Sequence, residues 1–237
     1  MEQEHIVSSF DRDLESIQAL IMRMGGLVEE AIARAALALE TRDEETAQSV
    51  RRGDKAIDEL DELVNEEAAR ILALRHPAAS DLRMVLSVFR VSANLERIGD
   101  YAKNIAKRSS VVIQQEPIAG TGAAIRRMAR IVELMLKDVL DAYIQRNADL
   151  AADVRARDEE VDLMYSALFR EYLTHMMEDP RHITACMHLH FMAKNVERMG
   201  DHVTSIAEQV IYLVTGEMPD EDRPKSDRTP YEQGSGI

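Results

Sequence analysis

The residues with most chemistry in reach are carboxylates spaced four apart. Asp54/Asp58, Glu96/Asp100, Asp158/Asp162 and Glu197/Asp201 each place two acids on one face of a helix, a few Å apart. Two like charges so close weaken a helix unless a cation lies with them. Spacing alone is no signal. With 43 Asp and Glu in 237 residues the chain holds ten such pairs, close to what chance supplies, and a solvated acidic face explains most of them.

Repetition lifts these four above that background. Asn94-Leu95-Glu96-Arg97-Ile98-Gly99-Asp100 recurs 101 residues later as Asn195-Val196-Glu197-Arg198-Met199-Gly200-Asp201. At an offset of 104, Arg51, Asp54, Ile57 and Asp58 fall on Arg155, Asp158, Val161 and Asp162. The same offset carries Ile21, Met24, Val28 and Glu29 onto Ile125, Met128, Val132 and Glu133. All four acid pairs belong to the repeat.

The elements that must position them follow from apolar spacing. One helix is expected from about Arg12 to Leu39, through Ile17, Ile21, Met24, Val28, Ile32 and Ala35. Thr41-Arg42-Asp43 breaks it, and a second runs to about Arg75 through Val50, Ile57, Leu60, Val64, Ala68 and Ile71. His76-Pro77 forms the next break, after which Ser80 or Asp81 caps a third helix reaching about Ile113. A linker at 114–122 follows, and then helices at about 123–146, at 148–178 and from the Asp179-Pro180 break to about Val214. Residues 1 to about 8 read as frayed, and the Pro-, Gly- and charge-rich tail at 216–237 reads as disordered. The fold class is all-α: two tandem pseudo-symmetric three-helix bundles of six long antiparallel helices, at 9–113 and 123–215.

If the second and third helices of each unit fold back on each other, the acids come level. Asp54 with Asp100, and Asp58 with Glu96, have numbers summing to 154, twice that of the Pro77 turn. Asp158 with Asp201, and Asp162 with Glu197, both sum to 359, about the turn at Asp179-Pro180. Each unit thus sets four carboxylates at one height beside a packed face, where they repel unless cations are present. All-oxygen ligation suits hard cations such as Mg²⁺, Mn²⁺, Ca²⁺ or iron. Glu29 and Glu133, level with these on the first helix of each unit, can add ligands. The alternative is a salt-bridge network to arginines.

Other chemistry is sparse. His190 lies two turns before Glu197, but its repeat equivalent is Phe89, so core packing is expected. The single cysteine, Cys186, forms no internal disulfide and is expected to be a buried inert thiol in a reducing compartment. There is no phosphate-binding glycine loop and no nucleophile triad, so no catalytic residue is assigned. A net charge of −14 without a basic stripe argues against nucleic acid. No stretch is long and apolar enough to span a bilayer, and the N-terminus has no signal pattern.

These residues resemble a known family. Arg75-His76-Pro77-Ala78-Ala79-Ser80-Asp81-Leu82-Arg83 followed by Asn94 to Tyr101 is similar to the first-repeat signature of PhoU proteins, and Lys194 to His202 to the second. Met24-Gly25-Gly26-Leu27-Val28-Glu29 fits the family's first helix. The resemblance covers roughly residues 10 to 216. It implies a helical, often dimeric regulator whose E(D)xxxD motifs bind iron, zinc, manganese or magnesium. It further implies negative regulation of phosphate uptake and phosphate-starvation signalling, in the cytoplasm or at the inner face of the membrane. The implied partners are the phosphate ABC transporter and a sensor histidine kinase. Asp54, Asp58, Glu96, Asp100, Asp158, Asp162, Glu197 and Asp201 are the implied metal residues. His190 and Lys194 depart from the first copy, which has Phe89 and Ala93. Two rivals stay open: a carboxylate-bridged metalloenzyme with an open coordination position, and a metal-free helical adaptor.

Overall fold

The structure is a computed structural model. It describes the backbone of residues 2–219 except His76 and Ala78, and side chains from Arg12 onward. Its six helices are α1 (Glu2–Thr41), α2 (Glu44–Arg75), α3 (Ala79–Val112), α4 (Thr121–Gln145), α5 (Ala148–Glu178) and α6 (Ile183–Thr215). A short 3₁₀ turn at Pro180–His182 joins the last two. The described residues contain no strand.

Each helix forms where an apolar stripe recurs at helical spacing, and each stripe is buried. Ile17, Ile21, Met24, Val28, Ile32, Ala35 and Leu39 lie inside on α1, as do Val50, Ile57, Leu60, Val64, Ala68 and Ile71 on α2. Helices α1, α2 and α3 pack on one another, and so do α4, α5 and α6. The two bundles meet through α1 against α4 and α3 against α6, which makes one continuous hydrophobic core. Leu95, wholly buried on α3, lies in that core.

The two halves turn in the same way. Arg42 and Arg146, 104 apart, both adopt a left-handed conformation (φ 56° and 52°) at the ends of α1 and α4. The residue after each caps the next helix. Asp43 accepts from the backbone N–H of Glu45 and Thr46, and the Asn147 side chain accepts from that of Leu150. Arg42 also ties the α1 end to the linker by donating to the carbonyls of Ile113 and Gln115.

Three boundaries differ from the sequence reading. Helix α1 already runs from Glu2, since residues 2–11 hold no Pro or Gly to stop it. Ser80 and Asp81 lie inside the first turn of α3 and not at its cap, because the helix starts at Ala79, whose φ is 47°. The linker ends at Gly120 (φ 82°), so Thr121 and Gly122 are helical. Met1 and residues 220–237, most of the tail read as disordered, lie outside the described residues. Truncating Leu95→Ala should lower stability by about 2–5 kcal/mol, and Asn147→Ala by about 1 kcal/mol. Urea unfolding followed by circular dichroism checks both.

Candidate metal centre

The α2–α3 seam gathers one acidic group. Gly99 makes the approach close: a Cβ there would lie 3.0 Å from Ile57 and 3.9 Å from an oxygen of Asp54. Asp54 is buried, Glu96 and Asp100 half-buried, and Asp58 exposed. Burial raises the Asp58 carboxyl above its usual range, and Asp54, Asp100 and Asp61 raise it further, against Lys103. The Glu96 carboxyl is raised by burial and then by Asp100, Asp58 and Asp61, with Arg97 opposing. Asp58 thus feels Asp54 and Asp100, and Glu96 feels Asp100 and Asp58.

Asp61 is a fifth acid that the sequence reading passed over. It accepts from the Ser92 hydroxyl at 2.5 Å. Its signal was present, since Asp54, Asp58 and Asp61 follow an i, i+4, i+7 helical spacing. Selecting repeated acids removed it, because its second-copy equivalent is Tyr165.

The counter-charge at this seam is a lysine. Lys103 Nζ donates to Asp54 Oδ2 at 2.5 Å and to Asp100 Oδ1 at 3.3 Å. These bonds push its ammonium up to about 12, the Asp54 bond most of all. Arg97 adds looser pairs to Glu96 (3.5 Å) and Asp100 (3.7 Å).

The α5–α6 seam repeats the design with more burial. Asp158, Asp162 and Glu197 are buried and Asp201 half-buried. Gly200 is the tighter counterpart of Gly99, as a Cβ there would sit 2.6 Å from Asp158 Oδ1. Glu197 Oε1 accepts from Lys194 Nζ at 2.7 Å, and that ammonium also lies 4.9 Å from the centre of the Tyr165 ring. Glu197 Oε2 is buried with no hydrogen-bond partner. Burial raises this carboxyl, Lys194 opposes the shift, and Asp201 and Asp162 add to it. His190 does not join the acids; its ring lies 5.8 Å from Tyr165 and 5.3 Å from Phe169.

Glu29 and Glu133 go elsewhere. Burial, then Glu133 and Asp141 on α4, raise the Glu29 carboxyl, while Lys137 lowers it. The structure brings these two acids to each other on the α1–α4 contact, not into either seam group. Glu29 lies off the stripe that α1 turns toward its own bundle, which is why it faces α4.

A family model described as the PhoU domain matches residues 21–109 and again 125–210, one copy per bundle. The chain belongs to the PhoU family. It is 44% identical over 229 residues to a Rhizobium meliloti protein, covering 97% of both chains, and 46% identical over 224 residues to one from Caulobacter vibrioides, covering 94% of this chain and 97% of that one. Both are named phosphate-specific transport system accessory protein PhoU homologues. The crystal structure of PhoU from Pseudomonas aeruginosa superposes with a TM-score of 0.85 at 39% identity, over 88% of this chain and all of that one. The phosphate transport system regulatory protein PhoU from Streptococcus pneumoniae gives 0.82 at 32% identity, over 89% and 99%.

The seams suit a hard cation in donor type alone: carboxylates from both helices share each seam, and Glu197 Oε2 is buried without a donor. Among the described residues no three His, Cys, Asp or Glu side chains are already drawn together as ligands of one ion. The lysines hold the carboxylates in their place.

The raised carboxyl of Glu197 predicts a pH-dependent cost. The folded chain holds its proton to higher pH than the unfolded chain, so the charged form lowers stability at neutral pH, and the cost fades as pH falls through the folded value. In a chelator at pH 7.5, Glu197→Gln should melt above the wild type, and the gap should close toward pH 4.5. A gap independent of pH counts against this. Gly200→Ala should cost about 1–3 kcal/mol by displacing Asp158.

Proposed function

We propose that the protein is a non-enzymatic regulator of phosphate-specific transport; the support for the transport role is that its relatives are named accessory or regulatory proteins of that system. It works by protein contact at the cytoplasmic face of the membrane, between the phosphate ABC transporter and a sensor histidine kinase. It lowers phosphate uptake and the phosphate-starvation response when phosphate is ample, and acts as a homodimer. Among the described residues no helix is long and apolar enough to cross a membrane, which is consistent with peripheral attachment.

The observation that carries the metal half of this reading is the duplicated seam. Equivalent positions of both units hold carboxylates on facing helices, all buried or half-buried except the exposed Asp58, next to a glycine whose missing Cβ makes room for them. Iron, zinc, manganese or magnesium would be held by Asp54, Asp58, Glu96 and Asp100 in one seam and by Asp158, Asp162, Glu197 and Asp201 in the other. A bound cation supplies positive charge that removes the repulsion between the acids. These residues in turn clamp α2 to α3 and α5 to α6, stiffening the faces that partners meet. The bonds from Lys103 and Lys194 favour a second reading, a metal-free adaptor whose acids are neutralised internally.

Elemental analysis separates the two. Wild type purified without chelator should carry metal, and the Asp100→Asn/Asp201→Asn double variant should carry less than half as much. Equal content in both sinks the metal centre. For the regulatory role, deleting the gene should switch on phosphate-starvation genes in high phosphate; an unchanged response argues against it.

A further inference from the structure

A cleft of about 590 Å³ lies between α1 and α4, away from both seams. Arg34 comes to it from α1, and Arg126, Arg127 and Arg130 from α4. Four arginines around one hollow stand out in a chain of net charge −14.

The internal repeat provides a control, because α1 and α4 are equivalent and meet antiparallel. At the repeat-related positions Arg126, Arg127 and Arg130 are matched by Met22, Arg23 and Gly26, and Arg34 by Asp138. The floor differs in size as well as charge. Leu140 fills the related side so closely that a Cβ on Gly25 would fall on it, while its counterpart at the cleft is Ala36, opposite Ala129. The related side keeps Arg23 and has Lys137 where the cleft has Ala33, but Leu140 fills its floor and it has no counterpart of Arg126 or Arg130. The filled floor and the two further arginines are where the halves differ.

The arginines are only partly engaged. Arg126 pairs with Glu40 and Arg130 with Glu133; the arginines are more than half exposed, and the two glutamates, 30% and 20% exposed, line the same cleft. Arg34 divides its guanidinium between Glu30 and Ser49. Arg127 has no hydrogen bond or ion pair among the described residues. Such exposed pairs contribute little to stability, and guanidinium forks hold phosphate oxygens in pairs. The volume is that of a small-molecule site, and Ala33, Leu37 and Ala123 give it an accessible apolar floor above the buried Ala36 and Ala129.

We propose that this cleft binds a nucleoside di- or triphosphate, its phosphates on Arg126, Arg127 and Arg130 and its base on the alanine floor. The proposal does not depend on a metal in the seams. Titration calorimetry with ATP, in EDTA so that no cation links ATP to the acids, tests it. Saturable binding is expected below about 1 mM, with Arg127→Ala and Arg130→Ala each weakening it about tenfold, as loss of a charged hydrogen bond does. Arg23→Ala, on the related side, should bind as wild type does. Arg127→Lys should recover part of the affinity, and unchanged helical circular dichroism shows that each variant is folded. No heat of binding at 1 mM ATP, or equal binding by wild type and Arg127→Ala, overturns the site. Pyrophosphate binding as tightly as ATP, or an acidic peptide binding where ATP does not, overturns the nucleotide assignment.

Discussion

Carboxylates held out of water next to other carboxylates are the constraint on which this molecule turns. Asp54, Asp158, Asp162 and Glu197 are each at most 6% exposed, and each shares its seam with further acids. Such a group is tolerated if a positive charge reaches it or if it takes up a proton. The chain provides lysines from different positions in the two halves, Lys103 after Asp100 and Lys194 before Glu197. At the α2–α3 seam, glycine at the crossing lets the helices approach closely enough for one ammonium to bond acids of both, Asp54 and Asp100.

The helices were legible because their apolar stripes are long and regular. Breaks at Arg42, Pro77, Arg146 and Pro180 stand between them, and the turn chemistry of Asp43 and Asn147 is written locally. The seams were legible only through the repeat and the fold-back register, since acid spacing alone matched chance. What stayed hidden was whatever the two copies do not share. Asp61 has a tyrosine as its counterpart, and Lys103 has Thr204, so a search for shared acids passes over both.

Glu29 shows a different limit. Its height along α1 is correct for a seam ligand, but height does not say which neighbouring helix a side chain faces. That is decided by the α1–α4 contact, which joins residues more than a hundred apart and leaves no local trace in sequence. The cleft that adjoins Glu133 on the same contact is hidden for the same reason: its four arginines come from two helices that no sequence window spans.

The core that runs unbroken through both bundles has a consequence for how the protein could change over time. Neither half is an independent body, because α1 needs α4 and α3 needs α6 to cover apolar surface. The ancestral unit, once doubled, was locked to its copy. Locking also gave licence: with the fold held by the shared apolar core, one seam can change its residues without its twin changing. Tyr165 opposite Asp61, and Lys194 opposite Ala93, are places where the two copies differ.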